Sequence, residues 1–369
     1  MKRKEIEERS LLIALTGSHA YGTNVPDSDQ DYRGVFVANR EYYLGCKNIE
    51  QKDSWDLNNP EEITGKFSFL DHNPDFCLYE LKKLFYLIEK NNPNLVELFW
   101  FDREYYLHLT PLGEKLISHR EKFLSSRLKY SAAGYAESQI KRMERHRRWL
   151  LNPPQKRPTP QDFGFNRSDY LPLTKSQVNS FIEFLYVLVR DCIEYLEPVE
   201  KFRELILGDI DYKAILKNYP MTDEIYGKVQ KITNASDEFM HHLHMTRMYQ
   251  SAIQDWENYQ QWLKKRNPDR AALEAKCGYD AKHGSHCLRL LRMAKEAVSE
   301  GVLKPHRHKV GDANYLLAVR QGEVSYEELM GEADKLFQEV KGVKSVLSER
   351  VERNFLNDLC MEIVAEMGF

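Results

Sequence analysis

The pattern of apolar and polar positions changes character along the chain. Near the N-terminus, the short apolar runs LLIALT at 11–16 and YRGVFVA at 32–38 are bounded by turn residues and predict two buried strands. A third candidate strand, FCLYEL at 76–81, runs straight into KKLFYLIEKN, where Leu84, Phe85, Leu87 and Ile88 suit one helix face. Asn-Asn-Pro at 91–93 stops that helix, and NLVELFWF begins another buried segment. From about residue 111 onward long helical patterns dominate, among them SAAGYAESQIKRMERHRRWLL and SQVNSFIEFLYVLVRDCIEYL. The exception is NPPQKRPTPQDFGF at 152–165, whose four prolines and few apolar residues predict a loop or linker. The chain shows no internal repeat. The expected fold class is α+β, a small mixed-sheet domain followed by a larger all-α region.

Composition narrows the function classes. At 369 residues and 42% hydrophobic content the chain can bury proper cores, and its net charge of −3 leaves nucleic-acid affinity to local patches. Six scattered cysteines without a CxxC pair fit free thiols in a reducing compartment, so a cytoplasmic location is expected. The LLIAL run is too short for a signal-peptide core. No stretch approaches the roughly 18 apolar residues of a membrane span, so no membrane partner is expected.

The candidate chemistry lies in GSHAYGTNVPDSDQDYRGVFV, residues 17–37. Strand alternation would project Asp29 and Asp31 from one side, a few ångströms apart. Two carboxylates that close repel unless a divalent cation sits between them, and oxygen-only ligation points to Mg²⁺ or Mn²⁺. An isolated Asp-x-Asp is usually a solvated turn. Here the acids lead into an apolar strand, a Gly17-Ser18 turn ends the preceding one, and the dozen or so residues between suit a helical turn crossing between paired strands. Glycine lets the backbone approach phosphate oxygens, and the Ser18 hydroxyl can donate to them. Asp27 reads best as a turn residue. Neither a P-loop sequence nor GxGxxG occurs.

Gly17-Ser18 followed by Asp29-x-Asp31 resembles the signature of the polymerase-β-like nucleotidyltransferase superfamily. The fuller string is similar to the predicted nucleotidyltransferases that accompany RNA ligases in bacteria and phages. The resemblance continues through DFCLYELKKLFYLIEKNNPNLVELFW, SAAGYAESQIKRM, GYDAKHGSHCLRLLRM and LLAVRQGEVSYEEL, in the family's order. It implies a catalytic domain over residues 1–110, the start of a helical domain at 111–151, a helical insertion at 152–270 with the Pro-rich loop, and a C-terminal helical domain over the active site at 271–369. It further implies that Gly17 and Ser18 hold nucleotide phosphates, while Asp29 and Asp31 ligate two metal ions. A third metal-binding carboxylate helps deprotonate the acceptor hydroxyl; Asp75 is preferred, with Glu80 as the alternative at the other end of the same strand. Arg33 would neutralise the carboxylates or touch phosphate, a structural salt bridge being equally expected.

Two basic segments complete the reading. Lys282, His286 and Arg289 follow i, i+4, i+7 spacing on one helix face, with Lys282 and Arg289 expected on triphosphate oxygens. KRMERHRRWLLNPPQKR carries eight Lys, Arg or His side chains around Trp149, suiting phosphate contact and base stacking as well as a solvated helix. His241, His242, His244, His306 and His308 read as ordinary histidines. The expected activity is transfer of NMP from an NTP to a hydroxyl with release of pyrophosphate. The first choice of acceptor is an RNA 3′ end, tRNA being one example, with a functional link to an RNA ligase implied by the resemblance. Protein nucleotidylation by the same site and a non-catalytic nucleotide- or RNA-binding module are the alternatives. Oligomeric state has no signature.

Overall fold

The computed structural model describes residues 1–26, 28–55, 66–71, 75–166, 171–191, 230 and 234–368. It divides into two compact units, one formed by Met1–Leu151 with Asn267–Phe369 and the other by Asn152–Arg266.

In the first unit a short helix α1 (Arg3–Glu8) precedes strand β1 (Ser10–Thr16), and helix α2 (Gly17–Tyr21) follows without a gap. Next come β2 (Asp31–Phe36), β3 (Gln51–Lys52), β4 (Phe76–Glu80), helix α3 (Leu81–Glu89) and β5 (Tyr106–Leu109). The sheet order is β3-β4-β2-β1-β5. Strands β2 and β4 are parallel and the other pairs antiparallel, so the sheet is mixed as the pattern predicts. The crossing helical turn expected between the first two strands is α2, and β1 pairs with β2 from Ser10↔Phe36 to Thr16↔Asp31. Sequence periodicity did not predict β3 or β5. The first is two residues long, and YLHL in β5 is an edge strand with no fully buried residue, so neither has a strong apolar alternation. NLVELFWF is buried but helical, as Pro93–Val96 and a 3₁₀ turn at Glu97–Phe99.

The C-terminal helices complete this unit: α4 (Leu128–Leu151), α5 (Ala281–Glu300), α6 (Ala313–Arg320), α7 (Tyr326–Gly342) and α8 (Arg353–Glu366). One core joins Leu12, Ala14 and Val35 of the sheet to Met293, Ala297, Leu356 and Ile363 of the helices. A second core packs α5 against α4, α6 and α7 through Ile140, Leu288, Leu291, Leu316 and Leu336. Burial of such side chains is worth about 2 kcal/mol each, which fixes α5 rigidly beside the sheet.

The second unit contains helices Lys175–Asp191 and Asp237–Lys265. Its residues 152–166 lack regular structure apart from a 3₁₀ turn at Pro160–Phe163, the predicted Pro-rich loop. His242 lies on the second helix, with Nε2 2.8 Å from the Leu171 carbonyl, an ordinary surface contact. Among the described residues Cys46, Cys77, Cys277, Cys287 and Cys360 are free thiols, and no helix is long and apolar enough to cross a membrane.

Candidate active site

The end of β1 delivers the chain into α2 through Gly17, whose φ of +66° lies in the left-handed region. A Cβ there would fall inside the Asp31 carboxylate, so glycine is required by conformation and by this close approach. Gly17→Ala should therefore push Asp31 out of place. Urea titration should show a loss of about 1–3 kcal/mol, and nucleotidyl transfer should fall with it. Unchanged transfer in that variant would show that the contact is dispensable.

Asp31 is the first residue of β2, not the middle of a strand, and Asp29 precedes the strand in the loop. Alternation alone therefore does not align the two acids. Their convergence comes from the loop, which is held from outside by Arg320 at the end of α6. Its Nη1 donates to the Thr23 carbonyl at 3.1 Å, and its Nη2 to Ser28 Oγ at 2.9 Å. The Ser28 hydroxyl also accepts from the Val25 N–H at 2.8 Å. Burial lowers the Arg320 guanidinium, while Asp29 and then Asp31 draw it the other way. Nothing in the sequence singled out Arg320, because the loop it clamps lies nearly 300 positions away. Asp27 falls outside the described residues.

The parallel register settles the geometry of β4. Tyr32 pairs with Phe76, and the Tyr32 N–H donates to the Asp75 carbonyl at 2.9 Å, so Asp75 stands beside Asp31. Burial raises the Asp31 carboxyl; Lys282 and Arg33 pull it down, and Asp75 and Asp29 push it further up. Glu80 does not share this end of the sheet. It pairs with Phe36, roughly 16 Å along the strand at about 3.3 Å per residue. Its carboxylate caps α3 by accepting from the Lys82 N–H at 2.7 Å and also accepts from the Tyr43 hydroxyl. The alternative that made Glu80 the third ligand is thus corrected: it is a buried helix cap.

Helix α5 supplies the opposite wall. Gly17, Ser18, Asp29, Asp31, Arg33, Lys282, His286 and Arg289 all line one cleft of about 230 Å³, joined there by Tyr21, Asn94, Tyr135 and Arg320. Lys282 is exposed, and its charge on Asp31 is the largest opposing burial. Arg33 Nη1 donates to the Asn94 carbonyl at 2.7 Å. His286 is held well below its ordinary pKa by burial, then by Arg289 and His283, and is therefore neutral near pH 7.

Arg289 has a different setting from the one the spacing suggested. It is 3% exposed, its Nη1 lies 3.0 Å from Glu97 Oε2, and its guanidinium stacks 3.5 Å from the centroid of the Tyr21 ring. Tyr21 in turn donates to Glu97 Oε1 at 2.6 Å. A guanidinium bound in this way holds α2 against α5 rather than reaching for triphosphate. Trp149 likewise is no stacking platform: it is 3% exposed and packs on His146.

Beside the cleft, Asp280 at the start of α5 gathers His146, His283 and Arg270. Burial works to raise this carboxyl, but hydrogen bonds from His146 and His283 and the Arg270 charge hold it well below the carboxylate range. His146, Glu274 and Asp280 are close enough to share a metal ion. Arg270 Nη2 already lies 2.7 Å from both Asp280 oxygens and its Nε 3.5 Å from Glu274, so a guanidinium supplies the positive charge there.

Comparison with known proteins follows the same geography. Residues 2–153 match the family model described as the RNA repair pathway DNA polymerase beta family. An uncharacterised 38.9 kDa protein in the nrdC-mobD intergenic region of Enterobacteria phage T4 is 29% identical over 134 residues, 36% of this chain. The match spans 38% of the length of that relative. No solved structure matches. The matched segment contains Gly17, Ser18, Asp29, Asp31 and Asp75, whereas Lys282, His286 and Arg320 come from beyond it. Residues 2–153, with their mixed five-stranded sheet and Gly-Ser turn beside paired aspartates, are thus similar to the polymerase-β family of the RNA repair pathway, over less than half of the chain.

Proposed function

We propose that the protein is a metal-dependent nucleotidyltransferase that moves NMP from an NTP to a hydroxyl, with an RNA 3′ end as acceptor. The observation that carries this reading is the pairing of Asp29 and Asp31 in the cleft with the Gly17 turn, with Asp75 near enough to Asp31 to raise its carboxyl. Asp31 is raised by burial and by its two acidic neighbours, a cluster of like charge that a cation would relieve. An oxygen-only donor set of this kind fits Mg²⁺ or Mn²⁺, two ions being the number implied by the resemblance. When bound, such ions neutralise phosphate charge and lower the pKa of a ligated hydroxyl.

The chain's own groups have separable tasks in this reading. Gly17 permits close backbone approach, Ser18 can donate to phosphate oxygens, and Lys282 provides an exposed cation on the opposite wall. Asp75 accepts the proton of the acceptor hydroxyl. The acceptor oxygen forms a bond to the α-phosphorus as the bond to the β-bridging oxygen breaks, and pyrophosphate carries away that electron pair. Neutral His286 can hydrogen-bond without adding charge. Catalysis rests on positioning and charge neutralisation, which suits a rigid cleft between sheet and helix.

The decisive measurement is incubation with each α-labelled NTP and Mg²⁺, together with short RNAs or a cell extract. Label should join RNA through a 3′ hydroxyl and pyrophosphate should appear in equal amount. Label on polypeptide alone would sink the RNA acceptor and retain the reaction class; binding without any transfer would favour a non-catalytic module.

A further inference from the structure

Helix α4 carries an exposed strip that begins at the cleft. Tyr135 lines the cleft, yet its side chain is 36% exposed, with its ring 5.7 Å from that of His286. Beside it, a Cβ placed on Gly134 would meet nothing within 4 Å, so the surface next to the ring is flat and open. Continuing along the same strip, Ser138, Arg142 and Arg145 are exposed. At 1.5 Å per residue the strip runs about 15 Å from Tyr135 to Arg145. Arg142 Nη1 lies 3.4 Å from His283 Nε2, which places this arginine beside the start of α5, next to Lys282.

The acids of α4 lie elsewhere. Glu137 is paired with Lys141, and Glu144 faces Tyr326, whose hydroxyl is raised first by burial and then by this charge. The helix therefore presents an aromatic ring and two guanidinium groups on one strip and its carboxylates on another. Guanidinium groups suit a phosphate backbone, and an exposed ring suits an unpaired base; a duplex would keep its bases stacked and offer the ring nothing.

We propose that a single-stranded RNA end leaves the cleft over Tyr135, which stacks on one of its bases, and continues along Arg142 and Arg145, which bind its phosphates. This rests on the nucleotidyltransferase reading for the identity of the cleft, but the binding surface is testable without catalysis.

Fluorescence anisotropy of a labelled short single-stranded RNA, titrated with the full-length protein over a range of salt concentrations, reads the surface directly. Tyr135→Ala should weaken binding by about tenfold or more, and Tyr135→Phe should restore it, since stacking needs the ring and not the hydroxyl. The double variant Arg142→Gln, Arg145→Gln should flatten the log–log salt slope by about 1.4, at ~0.7 per phosphate contact. Its thermal midpoint and its NTP affinity should match the parent, as neither arginine lines the nucleotide cleft. Parent-like affinity and salt slope in the double variant would overturn the proposed route, as would equal binding of duplex and single strand. Transfer of label to polypeptide with no RNA binding by the parent would overturn the route and leave the reaction class standing. RNA binding with the predicted variant pattern but no nucleotidyl transfer would do the reverse.

Discussion

Asp31→Asn is expected to abolish nucleotidyl transfer while leaving the fold intact. The carboxylate sits at the first position of β2 against Gly17, with Asp75 alongside in the parallel register and Lys282 across the cleft. Asparagine preserves its shape and removes its charge, so the cluster loses its capacity to hold a divalent cation without creating a cavity. A loss of at least about a thousandfold in kcat/KM, roughly 4 kcal/mol of transition-state stabilisation, should follow. Asp29→Asn should behave alike. Because Asp31 is raised by burial and by two acidic neighbours, removing its charge should leave the urea midpoint unchanged or raise it slightly. Transfer within tenfold of the parent, in a variant with an intact midpoint, would remove this carboxylate from the reaction.

The second large effect concerns stability. Glu97→Gln should destabilise the first unit by about 3–5 kcal/mol, since it leaves the Arg289 charge uncompensated among buried groups. Glu97 and Arg289 are 1% and 3% exposed, and the Tyr21 hydroxyl completes the network. The double variant Glu97→Leu, Arg289→Met removes both charges and should recover most of that loss, because paired removal spares the desolvation that single removal exposes. NTP affinity in the recovered double variant should stay within a few-fold of the parent, as Arg289 is committed to Glu97 and to the Tyr21 ring. A Glu97→Gln urea curve superimposable on the parent's would show that the pair contributes little. A hundredfold loss of NTP affinity in the double variant would restore Arg289 to the phosphate contacts the helix spacing first suggested.

Much of the N-terminal half was legible from local sequence. Apolar runs of strand length, turn residues at their ends and the Asn-Asn-Pro stop are short-range signals, and β1, β2, β4 and α3 follow from them. The Gly-Ser turn and the Asp-x-Asp stretch were likewise readable, since one backbone segment carries both. What failed locally failed for reasons of distance. Asp75 and Glu80 stand at the two ends of one strand, and the sequence kept both as candidates; the Tyr32↔Phe76 register places one beside Asp31 and the other at the far end as a helix cap. Trp149 looked available among basic residues because burial is a property of the folded neighbourhood. Arg320 and Glu97 gave no signal at all: an arginine in a helix pattern and a glutamate in an apolar run are unremarkable until the fold sets them against Ser28 and Arg289.

The sequence by itself determined strands β1, β2 and β4, the long helices, the Pro-rich loop and an Asp-x-Asp pair shortly after a Gly-Ser turn, because these depend on periodicity and backbone conformation over a few residues. Only the tertiary structure decided which acid at the ends of β4 stands near that pair, which basic side chains are exposed and which are buried in ion pairs, and that a helix some 250 residues downstream forms the other wall of the cleft. Those are outcomes of strand register and of shared core packing, in which each side chain's charge and exposure are set by residues remote in the chain.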